Sequence, residues 1–189
     1  MNKKNNYKKF IKKNINIKNE NSDNEMVIDP SIIHVYTDGS LMRKGKNIYC
    51  GYGIYFPNAE YKSIARKFTH EPITNNRAEL YAILKSIILS NKVDLQRKQD
   101  QKTRIKKIII YSDSEYSVKT FNEWLPKWLK NGKDYLNKDI IDEVYDHIKH
   151  APFEVFMKHI RAHTGKNDPH SMANDIVDNL AKKGAMIVK

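Results

Sequence analysis

The segment KKIIIYSDSEY, residues 106 to 116, restricts the fold more than any other part of the chain. Ile108, Ile109, Ile110 and Tyr111 form a nearly continuous apolar run, and a strand of that kind has to be covered on both faces. It therefore predicts the centre of a sheet with further elements packed above and below. The run ends at Ser112, Asp113 and Ser114, residue types that start helices. A central strand thus hands over to a helix at an acid, which places a carboxylate at the strand's carboxyl end.

Shorter strand-like segments precede it: HVYTDGS from residue 34, YCGYGIYF from residue 49 and YKSIARKFT from residue 61. Turn formers separate them, Gly45, Lys46 and Asn47 in one case and Pro57 and Asn58 in the next, so a three-stranded antiparallel meander is predicted. Residues 75 to about 91 switch to helical periodicity, with Leu80, Ile83, Leu84, Ile87 and Ile88 on one face. Residues 92 to 107 carry seven basic side chains against Asp94 and Asp100 and read as a charged loop. Beyond the central strand the pattern predicts helices over about 115 to 130 and 137 to 150, a strand at FEVFMKHIR, and a last helix over about 172 to 186. The order βββαβααβα describes an α/β fold with a five-stranded mixed β-sheet flanked by helices.

A chain of 189 residues suits one domain with an appendage. Residues 1 to 30 hold seven lysines against four acids, many asparagines and few apolar residues, which predicts a basic, disordered tail. Residues 31 to 189 are then the folded domain. Of the formal net charge of +12, the tail supplies only +3, so the domain itself is basic and suited to a polyanionic partner. No apolar run approaches the roughly 18 residues of a membrane span, and no secretion signal precedes the domain, so an intracellular protein, cytoplasmic or nuclear, with no membrane partner is expected. The one cysteine, Cys50, lies in an apolar stretch and is expected to be a buried thiol.

Four acids stand out, and each has an ordinary reading beside the chemical one. Asp38 begins an Asp-Gly turn signal. Glu79 could complete a capping box with Asn76. Asp113 could cap the helix after the central strand. Asp178 could be one more charge on a helix surface. Two of the four, however, stand at carboxyl ends of predicted strands, where open α/β sheets place ligand sites. Carboxylates gathered there would raise one another's pKa and need cations, and an all-oxygen set suits Mg2+ or Mn2+. On a protein that attracts polyanions, such a cage points to phosphodiester chemistry with two ions about 4 Å apart.

The segments YTDGS (36 to 40), TNNRAEL (74 to 80), YSDSEY (111 to 116), RAHTG (161 to 165) and NDIVDNLAKKGA (174 to 185) resemble, in order and spacing, the signature blocks of type 1 ribonuclease H, over about residues 34 to 186. The resemblance implies the RNase H-like fold and an endonuclease that hydrolyses the RNA strand of RNA·DNA hybrids, leaving 5′-phosphate and 3′-hydroxyl ends. It implies that Asp38, Glu79, Asp113 and Asp178 hold two Mg2+ ions, for which Mn2+ can substitute, with Asp38 touching both. His163 corresponds to the family's mobile histidine, which assists proton movement or product release. Primer removal and hybrid clearance are the implied tasks, by a monomer with no evident protein partner.

The same resemblance assigns nucleic-acid contacts. Thr74 and Asn137 match residues that grip a DNA-strand phosphate, and Asn75 and Asn76 match positions in the minor groove, where 2′-hydroxyls mark RNA. Several relatives place an arginine shortly before the threonine; here Pro72 stands there, with Arg66 or Lys67 as substitutes. Trp124 and Trp128, four residues apart and accompanied by Lys130, read from their spacing as core residues, whereas the resemblance makes them the family's basic protrusion on the DNA strand. That protrusion is shortened before Asn137 and lacks a further tryptophan. The competing readings are an integrase-like or resolvase-like DNA nuclease, a catalytically silent binding module, and a domain cut from a reverse transcriptase polyprotein. The first leaves TNNRAEL and RAHTG unexplained, the second is expected to have lost a carboxylate, and Met1 and Lys189 favour a free-standing protein over the third.

Overall fold

A computed structural model describes residues 29 to 162 and 167 to 187. Residues 1 to 28 of the expected tail, and His163, lie outside them. The elements are β1 (Ile32–Lys44), β2 (Asn47–Tyr55), β3 (Ile64–Lys67), α1 (Asn75–Gln99), β4 (Lys107–Ser112), α2 (Glu115–Lys119), a π-helical turn (Thr120–Trp124), α3 (Leu125–Asn131), α4 (Lys138–His150), β5 (Glu154–His159) and α5 (Pro169–Ala185). They form one five-stranded sheet in the order β3-β2-β1-β4-β5, antiparallel through β1, β2 and β3, with β1, β4 and β5 parallel. Among the described residues no helix is long and apolar enough to cross a membrane.

The central apolar strand behaves as its sequence requires. Ile108 and Ile110 pack into the larger core with Leu80, Ile83, Leu84 and Ile87 of α1, while Ile109 and Tyr111 face a smaller cluster with Tyr36, Phe156, Ala173 and Val177 under α5. α5 lies unusually close to the sheet. A Cβ on Gly53 would stand 2.5 Å from the Val177 carbonyl oxygen, and one on Gly51 2.0 Å from the Ala185 nitrogen, so only glycine fits beneath this helix.

Several expected boundaries move, three of them for an identifiable physical reason. α1 continues to Gln99 through half of the stretch read as a loop. Lys, Arg, Gln and Leu are good helix formers, and the buried Asp94 in this extension is satisfied by the returning chain: Arg104 Nε donates to Asp94 Oδ1 at 2.8 Å and the Ile105 amide at 2.9 Å. The helix expected over 115 to 130 is interrupted. Pro126 has no N–H for the carbonyl of Asn122, and the turn around that carbonyl widens so that the Leu125 amide bonds Thr120 instead. α5 starts at Pro169, ahead of the expected 172, because Asp168 caps it, accepting from the His170 and Ser171 amides at 3.1 and 3.0 Å, and proline fits the first helical position. β3 is also shorter than YKSIARKFT suggests.

Candidate active site

Strand alternation puts Asp38 on the same sheet face as Tyr36, the face α5 covers. Asp113 follows the last residue of β4 in the neighbouring parallel strand. Glu79 comes from the other side. It is the fifth residue of α1, and it reaches the two aspartates because α1 crosses β1 at Gly39, where a Cβ would stand 2.6 Å from the Glu79 amide nitrogen. The result is a cluster in which one carboxylate oxygen from each of Asp38, Glu79 and Asp113 lies within 4.8 Å of the others.

The ordinary readings of these acids do not describe what the side chains do. Thr74, not Asn76, caps α1, its hydroxyl accepting from the Arg77 amide at 3.3 Å. Glu79 therefore closes no capping box; its Oε1 accepts from Asn75 Nδ2 at 3.3 Å. Ser114, not Asp113, caps α2, accepting from the Ser117 amide. Asp38 lies within β1 opposite Gly53 and makes no turn.

Burial makes this cluster costly without a cation. Asp38 is 5% and Glu79 3% exposed. Burial, then the negative charges of Asp113 and Asp178, push the Asp38 carboxyl up to about 7. Burial, then Asp38 and Asp113, push Glu79 well above the usual carboxylate range. Glu79 Oε2 is buried and meets no hydrogen-bond donor among the described residues. An orphaned carboxylate oxygen beside two further acids, in an all-oxygen donor set, fits a hard divalent cation.

Asp178 stands beside this trio, close enough for its charge to act on Asp38, but its Oδ2 is held by Lys182 Nζ at 2.6 Å, one turn along α5. Its side chain is 19% exposed, whereas Asp175 points to solvent. A further residue at the site carried little sequence signal. Asn174, 1% exposed, donates from Nδ2 to Asp113 Oδ2 at 3.3 Å. Only its place one helical turn before Asp178 hinted at it. His159 bonds the Asp113 carbonyl oxygen through Nε2 at 3.1 Å.

The expected nucleic-acid residues flank the cage. Thr74, Asn75 and Asn76 are exposed at the start of α1, and Asn137 immediately precedes α4. A bidentate ion pair ties the two helix starts together: Arg77 reaches Asp139 at 2.8 and 2.6 Å. Trp124 and Trp128 are half-buried, 5.9 Å apart, with Trp128 packed against the main core and Lys130 exposed beside it. The core reading of the pair thus holds for Trp128, and the half-exposed rings leave a surface on which the other reading can be tested.

The family model for RNase H matches residues 30 to 186. A "Probable ribonuclease H" of Acanthamoeba polyphaga mimivirus is 34% identical over 142 residues, covering 71% of this chain and 58% of that protein. The chain spans about half the length of the first curated relatives it matches. Among solved structures, the RNase H domain of the foamy virus PFV superposes with a TM-score of 0.62 at 22% identity, covering 83% of this chain and 96% of that one. LC11-RNase H1 in complex with an RNA/DNA hybrid superposes with a TM-score of 0.54 at 18% identity, covering 81% and 96%. These two likenesses concern the fold.

Proposed function

The chain belongs to the RNase H family, and from that premise we propose that it is an endonuclease hydrolysing the RNA strand of RNA·DNA hybrids, with two Mg2+ ions as cofactor and Mn2+ as substitute. The observation that carries this reading is the convergence of Asp38, Glu79 and Asp113, from three different elements, to within 4.8 Å. No shared structural need brings three carboxylates together, and two of them are almost wholly buried. Asp178 completes the set from α5. Two divalent cations, when bound, lower the pKa of an attacking water and stabilise the departing 3′ oxygen.

The chain's own residues bind and orient the hybrid. Thr74 and Asn137, at the starts of two helices held by the Arg77 to Asp139 pair, grip a DNA phosphate. Asn75 and Asn76 meet the minor groove, and the bond from Asn75 to Glu79 ties that contact to the cage. Trp124, Trp128 and Lys130 ride on the DNA strand. His163 assists proton movement or product release. Cleavage leaves 5′-phosphate and 3′-hydroxyl ends, as primer removal or hybrid clearance requires. The family match and the curated relatives named ribonuclease H support the choice of substrate.

Replacing Asp113 by Asn tests the reading. The variant keeps an acceptor for Asn174 but loses a charged ligand, so kcat on labelled hybrid should fall at least about a hundredfold, some 2.7 kcal/mol of transition-state stabilisation. Circular dichroism and hybrid affinity should be unchanged. Near-normal cleavage, or activity surviving EDTA, would overturn the mechanism; cleavage of duplex DNA at the hybrid's rate would overturn the substrate.

A further inference from the structure

The residues assigned to the DNA strand fall into two groups, the phosphate grip at Asn137 and the tryptophan pair at the end of a shortened protrusion. Two tyrosines connect them. Asn137 has a left-handed backbone, φ +58°, and makes no capping bond to its own helix. Its Nδ2 instead donates to Tyr116 Oη at 2.9 Å. The Tyr116 ring meets Trp124 edge-on at 5.9 Å, Trp124 meets Trp128 at 5.9 Å, and Trp128 stacks on Tyr135 at 4.7 Å with 15° between the planes. Tyr135 stands two residues before Asn137, so the contacts close into a ring.

Tyr135 is itself fixed from the far side. The Lys138 ammonium lies over its ring at 4.8 Å, its hydroxyl donates to Asp142, and Lys138 reaches Asp142 at 2.5 Å. Between the two ring members Leu136 is 83% exposed. The short segment before Asn137 is thus held by the Tyr135 stack and not by burying its own apolar side chain.

We propose that Tyr135 is a positioning residue of the DNA-strand interface and that, with the bond from Asn137 to Tyr116 closing the other side, it couples the phosphate grip to the aromatic platform so that the two engage the hybrid as one unit. The proposal rests on the hybrid-binding reading above and adds to it a coupling between two groups that would otherwise act independently.

The full chain is titrated with hybrid in Ca2+, each DNA phosphate in turn replaced by an uncharged methylphosphonate. Anisotropy reads affinity, and tryptophan emission reads the platform directly, since the chain has only two tryptophans. The wild type should lose about tenfold in affinity at one position. Tyr116→Phe keeps the ring and removes the acceptor of Asn137; it should bind unmodified hybrid about fivefold more weakly and lose less than twofold further at that position. Tyr135→Ala, which touches no phosphate ligand, should blunt the same sensitivity and the emission change, and Tyr135→Phe should restore both. In Mg2+ these variants should raise KM with kcat within twofold of wild type. Full methylphosphonate sensitivity in folded Tyr135→Ala would overturn the coupling while leaving the grip intact. A wild type indifferent at every position would remove the phosphate grip itself, and the proposal with it.

Discussion

At the scale of single residues, the cage holds two of its acids, Asp38 and Glu79, against their own ionisation. An aspartate in an unfolded chain titrates near 4, whereas burial and the neighbouring charges hold Asp38 at about 7. A carboxyl whose pKa is raised on folding favours the fold while protonated. Its contribution is full below about 4 and is lost as pH rises through about 7. Without metal, the protein should therefore be less stable at pH 8 than at pH 5, by at least about 1 kcal/mol from this group. The carboxylates with depressed values, such as Asp94, Asp139 and Asp168, titrate below this window, while His34, lowered by burial, contributes a slope of the opposite sign, so the comparison with Asp38→Asn isolates the share of the cage. Mg2+ binds the ionised cage, so its stabilisation should be larger at pH 8. Urea midpoints at both pH values, in EDTA and in Mg2+, measure the effect, and Asp38→Asn should remove most of it. A metal increment equal at both pH values, or a slope unchanged in Asp38→Asn, would show that these carboxyls are not strained.

At the scale of elements, α5 decides which acid completes the cage. Asp175 and Asp178 both lie near its middle, and helical periodicity alone separates them only slightly. Packing separates them further: the glycines of β2 draw α5 onto the sheet along the Val177 to Ala181 face, bringing Asp178 next to Asp38 and leaving Asp175 in solvent. Asp178→Asn should cost at least about tenfold in kcat with Mg2+, roughly 1.4 kcal/mol, and Asp175→Asn should cost little. kcat of both on one hybrid gives the ranking, and the reverse order would move the fourth ligand to Asp175. The same contrast marks what the sequence could show. The order of elements, the doubly covered β4 and the acid that follows it were legible because they follow from local period and position, whereas Asp38, expected at the end of its strand, lies inside β1, which runs on to Lys44 in a long hairpin with β2. The identity of the helix caps was not, since Thr74 and Asn76, or Ser114 and Asp113, are locally equivalent candidates. Nor was the length of α1: its charged end looks solvated until Arg104 returns, ten residues later, to a buried Asp94. Asn174, Tyr116 and Tyr135 were hidden for the same reason, because each acquires its role from a partner on another element.

At the scale of the whole molecule, the chain is strongly basic except at the cage, and the position of its lysines determines which of them a bound hybrid can use. Lys127, Lys130 and Lys133 lie on or just beyond α3, beside the tryptophan pair. Lys92, Lys98 and Lys102 belong to the far end of α1 and the turn after it. Glu79 and Gln99 are twenty residues apart on one helix, so that end stands about 30 Å from the cage, several times the roughly 8 Å over which exposed charges act at physiological salt. Lys102 is moreover paired with Asp100 at 3.4 Å, and Arg104 is committed to Asp94, so neutralising Arg104 would test stability and not binding. Each phosphate contact contributes about 0.9 to the slope of log affinity against log salt concentration. Replacing Lys127, Lys130 and Lys133 by glutamine should flatten that slope by about 2 to 3, and the same change at Lys92, Lys98 and Lys102 should move it by less than about 0.5. Hybrid affinities over a range of potassium chloride concentrations, in Ca2+ to prevent cleavage, compare the two triples at equal change in net charge. Equal flattening would mean that overall charge, not placement, draws the hybrid in. Flattening by the α1 triple alone would move the hybrid to the opposite end of that helix and detach the tryptophan pair from binding.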